Sequence, residues 1–436
     1  MAALHSDTIF ALSSGRGRAG VAVIRVSGAA AGRTLRTLAG PELPQPRLAV
    51  LRKIGRSGGE AIDDGLVLWF PAPASFTGED VAEFHVHGGR AVIEALLAAL
   101  GEIPGLRPAE PGEFTRRAVE NGKFDLTQAE ALADLINAET EAQRRQALKQ
   151  YDGSLANLYE GWRTALIRVA AWVEAAIDFS DEEVPPDALA NGKAQAAEIF
   201  NEIHIHLNDA RRGEILREGF RLTVVGPPNS GKSSLVNAWA RRDVAIVSEI
   251  AGTTRDVLEV RLDLAGYPVI VADTAGVRET EDAIEGEGVR RALARAQAGD
   301  ATLLLLDASV PQTALSTLPE DPTLTVWNKA DLAATRGGQL SISVRTGFGM
   351  EQLLERIGNI VRHRLPSADA PVLTRERHRY ALQQAADALE RSLAASAPEI
   401  VAEEMRIAML ELGRVTGRID IEELLDSVFR DFCIGK

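Results

Sequence analysis

The pattern of apolar and polar positions divides the chain into three kinds of sequence. Residues up to about 120 mix short β-rich runs with glycine and proline, and residues 21–26, between Gly20 and Gly28, are typical of a strand. From residue 125 to about 177 there is no proline, and apolar residues recur at helical spacing, which predicts long amphipathic helices. After Pro185 and Pro186, more helix is predicted to about residue 217.

Residues from about 220 to 365 alternate strand and helix, which predicts a parallel sheet covered on both faces. The predicted strands are 222–225, 257–264, 269–272, 302–306, 324–327 and 340–343. Pro366 ends the following helix, and residues 374–429 return to helical periodicity.

These patterns predict a multidomain α/β and α protein. An N-terminal α+β domain occupies residues 1–120, and an α/β domain over 218–365 is inserted into a helical domain. The helical domain is expected to form from two sequence segments, 121–217 and 366–436, that pack together.

Composition excludes some classes of protein and indicates the cellular compartment. The chain has 436 residues, one cysteine (Cys433) and a net charge of −14, so no intrachain disulfide can form and a cytoplasmic setting is expected. No uninterrupted apolar run approaches the ~18 residues of a membrane span, and the first residues lack the features of a secretory signal. The acidic balance argues against a general nucleic-acid coat protein but allows a local basic patch for RNA.

The main chemical motif is Gly226-Pro-Pro-Asn-Ser-Gly231-Lys232-Ser233, which follows an apolar strand and precedes a predicted helix. In this context the backbone N–H groups curl around phosphate oxygens, Lys232 contacts the outer phosphates and the Ser233 hydroxyl ligates magnesium. The motif therefore predicts a P-loop, Ras-like fold for the inserted domain.

Two further motifs follow in the expected order. Asp273-Thr-Ala-Gly276 ends one predicted strand, which brings Asp273 near magnesium and Gly276 near the γ-phosphate. Asn328-Lys329-Ala-Asp331 follows another, and the Asp331 carboxylate can accept hydrogen bonds from two guanine N–H groups that adenine lacks. Together these motifs predict a GTPase. The expected nucleotide-binding residues are Asn229, Ser230, Gly231, Lys232, Ser233, Ser234, Asp273, Thr274, Ala275, Gly276, Asn328, Lys329, Asp331, Ser343, Val344 and Arg345.

The residue that orients the attacking water in Ras-like GTPases is missing. Val277 stands where those proteins have glutamine and can form no hydrogen bond through its side chain. Five acidic residues follow in a short stretch: Glu279, Glu281, Asp282, Glu285 and Glu287. Any of them could contact water, or the stretch is simply a solvated acidic loop. The carbonyl oxygen of Asn229, with oxygens from residues 248–253, could hold a monovalent cation where other GTPases use an arginine.

Over nearly its whole length the chain resembles the MnmE (TrmE) family of tRNA modification GTPases. The shared blocks include Gly20-Val-Ala-Val-Ile-Arg25-Val-Ser-Gly28, Phe76-Thr-Gly-Glu-Asp80, Pro111-Gly-Glu-Phe-Thr115, Asn121-Gly-Lys123, Ile250-Ala-Gly-Thr-Thr-Arg-Asp256 and the terminal Phe432-Cys-Ile-Gly-Lys436. The chain departs from the family pattern at three places. Ser248 stands where threonine is common, Val344-Arg345 is a looser match in the loop expected to contact the base, and Gly286 and Glu287 follow Glu285.

This resemblance implies specific sites and partners. It implies an N-terminal domain that mediates homodimerisation and binds 5-formyltetrahydrofolate or a related tetrahydrofolate through Arg25, Glu83, Lys123 and Lys436. It implies K⁺ at Asn229, Ser248, Ile250 and Thr253, Mg²⁺ at Ser233 and Thr254, and Glu285 as the catalytic residue that activates water. The implied partners are an MnmG-type FAD-dependent subunit and tRNA, and the implied product is an aminomethyl-type group on carbon 5 of the wobble uridine, position 34.

Some alternatives remain at this stage. A regulatory or ribosome-assembly GTPase without modification chemistry is the main rival function. His85 and His87 have the spacing of some metal pairs, but structural or folate-proximal roles are favoured because no third ligand is in register. The best basic clusters for tRNA are Arg116-Arg117, Arg144-Arg145 and Arg375/Arg377/Arg379, although most such clusters are solvated surface.

Overall fold

The computed structural model describes residues 7–15, 17–56, 58–178, 188–242, 244–246, 259–273, 299–310, 322–333, 339–365, 371–418, 428–429, 432 and 435. The chain forms two compact units. The first contains residues 1–133, 151–170 and 405–436, and the second contains residues 134–150 and 171–404. Each is described below by itself.

In the N-terminal part of the first unit, the described residues form a sheet of six strands. Its strands are β1 (Thr8–Leu12), β2 (Ala19–Ser27), β3 (Val50–Gly55), β4 (Ala61–Phe70), β5 (Val81–Gly88) and β6 (Leu106–Pro108), in the order β3-β4-β5-β2-β1-β6. Only β1 and β6 pair in parallel. Helices α1 (Ala31–Ala39) and α2 (Arg90–Gly101) pack on one face, over buried residues such as Ile24 and Phe84. The predicted N-terminal α+β domain is confirmed.

Helices dominate the next part of the chain, as its periodicity predicts. They are α3 (Glu113–Glu120), α4 (Leu126–Ile136), α5 (Glu141–Tyr151), α6 (Ser154–Asp178), α7 (Ala188–Leu207) and α8 (Arg212–Glu218). In the first unit, Leu126 and Ala129 of α4 pack with Phe429 in a small apolar cluster. This contact joins two segments that are some 300 positions apart in the sequence, because apolar stripes on both need to be buried.

Among the described residues of the second unit, five strands form a sheet in the order β11-β10-β7-β9-β8. Its strands are β7 (Phe220–Val225), β8 (Glu259–Leu264), β9 (Tyr267–Asp273), β10 (Ala301–Asp307) and β11 (Leu324–Asn328). Every residue of β10 except the last is buried, so this strand is covered on both faces. Helices α9 (Lys232–Ala240) and α10 (Met350–Arg364) contribute Trp239 and Leu353 to the core on one face.

The prediction of a purely parallel sheet is wrong at one strand. β8 runs antiparallel to β9, whereas β7, β9, β10 and β11 are parallel. Only Ala265 and Gly266 separate β8 from β9, and both have positive φ, of 57° and 86°. A two-residue turn of this kind reverses the chain into a hairpin, whereas a parallel pair needs a long crossover.

The predicted strand over 340–343 is present only as a single bridge, between Ser341 and Trp327. Leu340 and Ile342 exchange backbone hydrogen bonds with Trp327, but a turn closed by the amide of Gly347 on the carbonyl of Ser343 follows at once. The segment leaves the sheet because residues 343–347 form a loop at its edge.

The helical segments on either side of this sheet come together as predicted. α7 packs against α11 (Glu376–Ala394), and Lys193 of α7 donates to the carbonyl of Leu393 at 3.2 Å. α12 (Pro398–Thr416) completes the helices of the described residues. The predicted architecture, a helical domain from two segments around an inserted P-loop domain, is confirmed, whereas the domain limits at 120, 217 and 365 stay predictions. None of the helices in the described part of the chain combines the length and apolar character that crossing a bilayer requires.

Candidate functional site

The carboxyl ends of four parallel strands meet at one edge of the second sheet. The register pairs Val224 of β7 with Asp273 of β9, and Asp307 of β10 with Asn328 of β11. The loop that follows β7 begins at this same edge, one residue beyond Val225. Ligands of open α/β sheets bind at this edge, because the loops there are free of the sheet's own hydrogen bonds.

The loop after β7 wraps around the ammonium group of Lys232. Lys232 is the first residue of α9, and its Nζ donates to the carbonyl oxygens of Gly226, at 2.9 Å, and Pro227, at 3.0 Å. These contacts hold the positive charge of Lys232 at the N-terminus of α9, and helix N-termini bind phosphate groups well.

The shape of this loop fits a phosphate chain. A Cβ on Gly226 would lie 2.1 Å from the carbonyl oxygen of Leu305, and one on Gly231 would lie 2.3 Å from Nδ2 of Asn328, so side chains cannot fill the loop. Ser230 is fully buried, and its hydroxyl has no hydrogen-bond partner within the described residues. A buried polar atom without a partner is costly, and a bound ligand would supply one.

Asn328 connects the phosphate loop to the loop after β11. Its Nδ2 donates to the carbonyl of Ser230 at 2.8 Å, and its Oδ1 accepts from the amide of Val344 at 3.2 Å. The side chain is buried, so both hydrogen bonds are shielded from water. Residues from three separate motifs, 226–233, 328–331 and 343–345, are thereby brought into one site.

Asp331 is held ready to accept hydrogen bonds. The Ser343 hydroxyl donates to its Oδ1 at 2.7 Å, and this hydrogen bond keeps the pKa of the Asp331 carboxyl below its usual value. The guanidinium of Arg345 lies 3.7 Å from the other oxygen, Oδ2. An ionised carboxylate with unused lone pairs matches the two adjacent N–H donors of guanine.

Lys329 has a partner that the sequence analysis missed. Its Nζ lies 2.6 Å from Oδ2 of Asp307, at the end of β10. Burial would raise the pKa of Asp307, but the hydrogen bonds from Lys329 and Ser309 outweigh it and lower the pKa. The sequence does contain one indication that Asp307 belongs to the site: it is the last residue of an apolar strand, as Asp273 is.

Several predicted residues can be placed only in part or not at all. Asn229, Ser233 and Ser234 are exposed, at or beside the first turn of α9, and Asp273 is placed by its backbone at the end of β9. The other predicted nucleotide and cation residues lie outside the described residues, as does the terminal lysine: Ser248, Ile250, Thr253, Thr254, Thr274, Ala275, Gly276, Glu285 and Lys436.

A second group of predicted residues lies on the N-terminal sheet. Arg25 of β2 and Glu83 of β5 are cross-strand partners, and the Arg25 Nη2 is 2.9 Å from Glu83 Oε1. The Arg25 guanidinium also lies over the rings of Phe76, at 5.1 Å, and Phe114, at 5.8 Å. An arginine between two aromatic rings has a fixed plane, because cation–π contact limits its rotation.

Lys123 and the end of the chain come near the same sheet. Lys123 Nζ donates to the carbonyl of Pro73 at 3.1 Å, and the ring of its neighbour Phe124 lies 5.4 Å from that of Phe76. The carbonyl of Gly435 accepts from the Ser13 hydroxyl at 2.8 Å, just beyond the end of β1. The residue before Lys436 is therefore fixed beside the strand that pairs with β2.

The basic clusters named for tRNA are largely engaged within the protein. Arg117 is fully buried and pairs with Asp7, Glu79 and Glu113, so it cannot contact RNA. Glu79 also accepts a hydrogen bond from Ser27, which links Arg117 to the strand of Arg25. Arg144 and Arg145 both pair with Glu141, and Arg375 and Arg379 pair with acidic residues of the second unit.

The two alternating histidines have separate carboxylate partners. His85 Nε2 lies 3.1 Å from Glu83, and His87 Nδ1 lies 2.8 Å from Asp63. Within the described residues, no group of three or more histidine, cysteine, aspartate or glutamate side chains is arranged to hold a metal ion.

Comparison with known proteins gives two family matches. The family described as "GTP-binding protein TrmE N-terminus" matches residues 8–123, and the "MnmE helical domain" family matches residues 126–433. The tRNA modification GTPase MnmE of Paramagnetospirillum magneticum is 53% identical over 441 residues, which is 99% of this chain and 100% of that protein. The proteins of the same name from Parvibaculum lavamentivorans (54%, 99% and 100% covered) and Rhodospirillum rubrum (52%, 99% and 99% covered) are similarly close. The chain belongs to the MnmE (TrmE) family of tRNA modification GTPases.

Proposed function

We propose that the chain is a potassium-activated GTPase that acts with a flavoprotein to install an aminomethyl-type group on carbon 5 of uridine 34 in certain tRNAs. Family membership carries the general activity, GTP hydrolysis in the service of tRNA modification. The observation that carries the nucleotide assignment is the Asn328 side chain, which bridges the phosphate loop at Ser230 and the base loop at Val344.

We expect the ionised Asp331 carboxylate, which accepts a hydrogen bond from Ser343, to select guanine. An ionised carboxylate accepts from the ring N–H and the exocyclic amine of guanine, whereas adenine offers neither donor. The Ser343 hydroxyl fixes one oxygen, and the amide of Thr346 donates to that same hydroxyl at 3.2 Å. The Ser343 hydroxyl therefore ties the Asp331 carboxylate to the backbone of the loop that contacts the base.

The phosphate loop fits the triphosphate and its magnesium ion. The Lys232 ammonium, held by the carbonyls of Gly226 and Pro227, would contact the phosphate oxygens, and the exposed Ser233 hydroxyl would ligate Mg²⁺ together with Thr254. The ion, when bound, neutralises charge that develops on the phosphate oxygens.

Hydrolysis needs a substitute for the missing glutamine and arginine. We assign the water-activating role to Glu285, and we assign a potassium site to Asn229, Ser248, Ile250 and Thr253. Asn229 supports the second assignment, because it is exposed at the rim of the phosphate loop with a φ of 60°, a conformation that asparagine tolerates better than most residues. Potassium held there would supply positive charge next to the phosphates.

The N-terminal sheet is the proposed folate site, with Arg25, Glu83, Lys123 and Lys436 as binding residues. The fit rests on the Arg25 guanidinium, whose Nη1 donates no hydrogen bond within the described residues, and on the Phe76 and Phe114 rings beside it. Tetrahydrofolate, when bound, supplies the one-carbon unit. The proposed partners are a second copy of the chain, an MnmG-type FAD-dependent subunit and tRNA, all in the cytoplasm.

The cation proposal is tested by GTP turnover of the full chain in K⁺ and in Na⁺ at several protein concentrations. We expect K⁺ to exceed Na⁺ by about tenfold or more, and Asn229→Ala to remove the difference. Equal wild-type rates in the two salts would refute potassium activation. Glu285→Ala should lower turnover by about a hundredfold without loss of nucleotide affinity, whereas its acidic neighbour Glu287 serves as the control in Glu287→Ala.

The alternative function is a regulatory or ribosome-assembly GTPase without modification chemistry. The Arg25–Glu83 pair at the proposed folate site favours the modification role, because an assembly factor has no use for a one-carbon carrier. Mass spectrometry of tRNA from a strain that lacks the gene separates the two functions. Unchanged wobble uridines would rule out modification.

A further inference from the structure

Three polar residues share the face of the N-terminal sheet that α1 and α2 do not cover. Arg25 lies directly across from Glu83, and His85 is two residues further along β5, so all three side chains point to the same side. The intervening residues Ile24 and Phe84 point to the opposite side and are fully buried beneath the helices. The side chains of Arg25, Glu83 and His85 are 20%, 15% and 27% exposed, which leaves part of this face accessible to a ligand.

Glu83 divides its two carboxylate oxygens between the other two residues. Oε1 accepts a hydrogen bond from the Arg25 Nε at 3.0 Å and lies 2.9 Å from the Arg25 Nη2, whereas Oε2 lies 3.1 Å from the His85 Nε2. Burial would raise the pKa of Glu83, but the contacts with His85 and Arg25 outweigh it and lower the pKa. Glu83 is therefore an acceptor only, and the His85 Nε2 carries the proton that is shared between them.

The surroundings of His85 leave Glu83 as its polar partner. Its cross-strand neighbours are Val23 on β2 and Leu66 on β4, both apolar. Asp63 on β4 accepts a hydrogen bond from the backbone amide of His87 and contacts the His87 ring Nδ1. The His85 ring therefore contacts Glu83, whereas Asp63 is engaged by His87.

The contact with His85 determines how Glu83 holds Arg25. With Oε2 occupied, Arg25 engages a single oxygen through Nε and Nη2, and Nη1 remains without a partner in the described part of the chain. Without His85, the carboxylate could turn about its broad terminal torsion and engage the guanidinium with both oxygens. The direction of the free N–H edge would then change.

We propose that His85 is a positioning residue of the folate site: its Nε2–H fixes Glu83, and Glu83 in turn fixes Arg25 so that one N–H edge points toward a carbonyl or ring-nitrogen acceptor of a reduced folate. This inference rests on the folate function proposed above. His85 does not itself need to touch the ligand.

The first test measures binding of 5-formyltetrahydrofolate to the full chain by calorimetry. We expect His85→Leu to weaken binding about tenfold, and His85→Gln, which keeps an N–H donor, to stay within about threefold of the wild type. The matched control is His87→Gln, which alters the Asp63 pair instead and should bind normally. Thermal unfolding and GTP turnover of His87→Gln should equal those of the wild type, because the His87 side chain is largely exposed and lies in the other unit from the nucleotide site.

The results separate the inference from the function on which it rests. Wild-type protein that binds no folate would end the folate function. Folate binding that is equal in wild type and His85→Leu, or equally weak in His85→Gln and His85→Leu, would overturn the positioning role.

A second measurement needs no folate. In protein with ¹⁵N-labelled arginine, the Nε–H signal of Arg25, identified by its loss in Arg25→Lys, should shift in His85→Leu and stay in place in His85→Gln. If the Arg25 signal has the same position in His85→Leu and in the wild type, the proposal is overturned, whether or not the protein binds folate.

Discussion

Asn328 Nδ2 donates a hydrogen bond to the carbonyl oxygen of Ser230 at 2.8 Å, across 98 positions of sequence. The first residue belongs to the loop that selects the base and the second to the loop that holds the phosphates. Because Asn328 also accepts from Val344, a movement of either loop must break a buried hydrogen bond. The two halves of the nucleotide site are therefore a single structural element.

Gly231→Ala should weaken nucleotide binding. Gly231 has a φ of 99°, and a Cβ there would lie 2.3 Å from Nδ2 of Asn328, so the substitution strains the loop and displaces Asn328. We expect the affinity for GDP, measured with a fluorescent analogue, to fall by about a hundredfold. The control is Gly347→Ala, where φ is 83° but nothing lies within 4 Å; it should cost about 1 kcal/mol of stability and leave affinity within about threefold. Similar losses in the two variants would contradict the steric argument.

Asp331→Asn should change the base that the protein prefers. The amide keeps the shape of the carboxylate but places an N–H₂ donor opposite the exocyclic amine of guanine, where two donors repel. We expect GTP affinity to fall about tenfold to a hundredfold and xanthosine triphosphate, which has a carbonyl at that position, to bind better than GTP. Ser343→Ala retains the carboxylate and should still prefer GTP. A guanine preference in the asparagine variant would show that Asp331 does not read the base.

Gln150→Ala should destabilise the second unit. Gln150 is buried, and its Nε2 donates to Thr374 Oγ1 at 3.1 Å and to the carbonyl of Val372 at 3.3 Å. The substitution removes buried packing and takes the Gln150 partner from the buried Thr374 hydroxyl, which should cost about 2–3 kcal/mol in denaturant unfolding. Gln383→Ala, on the exposed face of α11, removes a hydrogen bond to Asp387 that water can replace and should cost under about 0.5 kcal/mol. Equal denaturant midpoints for Gln150→Ala and Gln383→Ala would mean that the hydrogen bonds of Gln150 to residues 372 and 374 do not stabilise the unit.

His206 should make the protein less stable as the pH falls below neutrality. Burial lowers its pKa from 6.5 to about 4, and the nearby Arg379 adds to this effect while Asp209 opposes it. Above pH 6.5 the ring is neutral in both the folded and unfolded states, so no stability is lost there. Between pH 6.5 and 4 the His206 ring is protonated in the unfolded chain but stays neutral in the folded chain. This difference lowers the free energy of unfolding by on the order of 2 kcal/mol.

The measurement is the free energy of unfolding across this range, compared between wild type and His206→Gln. The wild type should lose more stability than the variant from pH 6.5 to 4, whereas the exposed neighbour, in His204→Gln, should follow the wild type. Parallel curves for wild type and His206→Gln would show that this ring does not titrate in the predicted way.

Features encoded within a short stretch of sequence could be predicted. The strands β7, β9, β10 and β11 were placed to within two residues, because buried parallel strands have continuous apolar runs between turn residues. The phosphate loop was predicted for a similar reason: Gly226, Gly231, Lys232 and Ser233 are adjacent in the sequence, and their chemistry depends on that local spacing.

The tertiary structure alone decided which distant residues meet. The partnership of Lys329 with Asp307, the burial of Arg117 among Asp7, Glu79 and Glu113, and the contact of His85 with Glu83 depend on strand register and helix placement. A basic pair such as Arg116-Arg117 has the same sequence whether it faces RNA or three carboxylates. Burial and pairing are properties of groups brought together by packing, so no local pattern contains them.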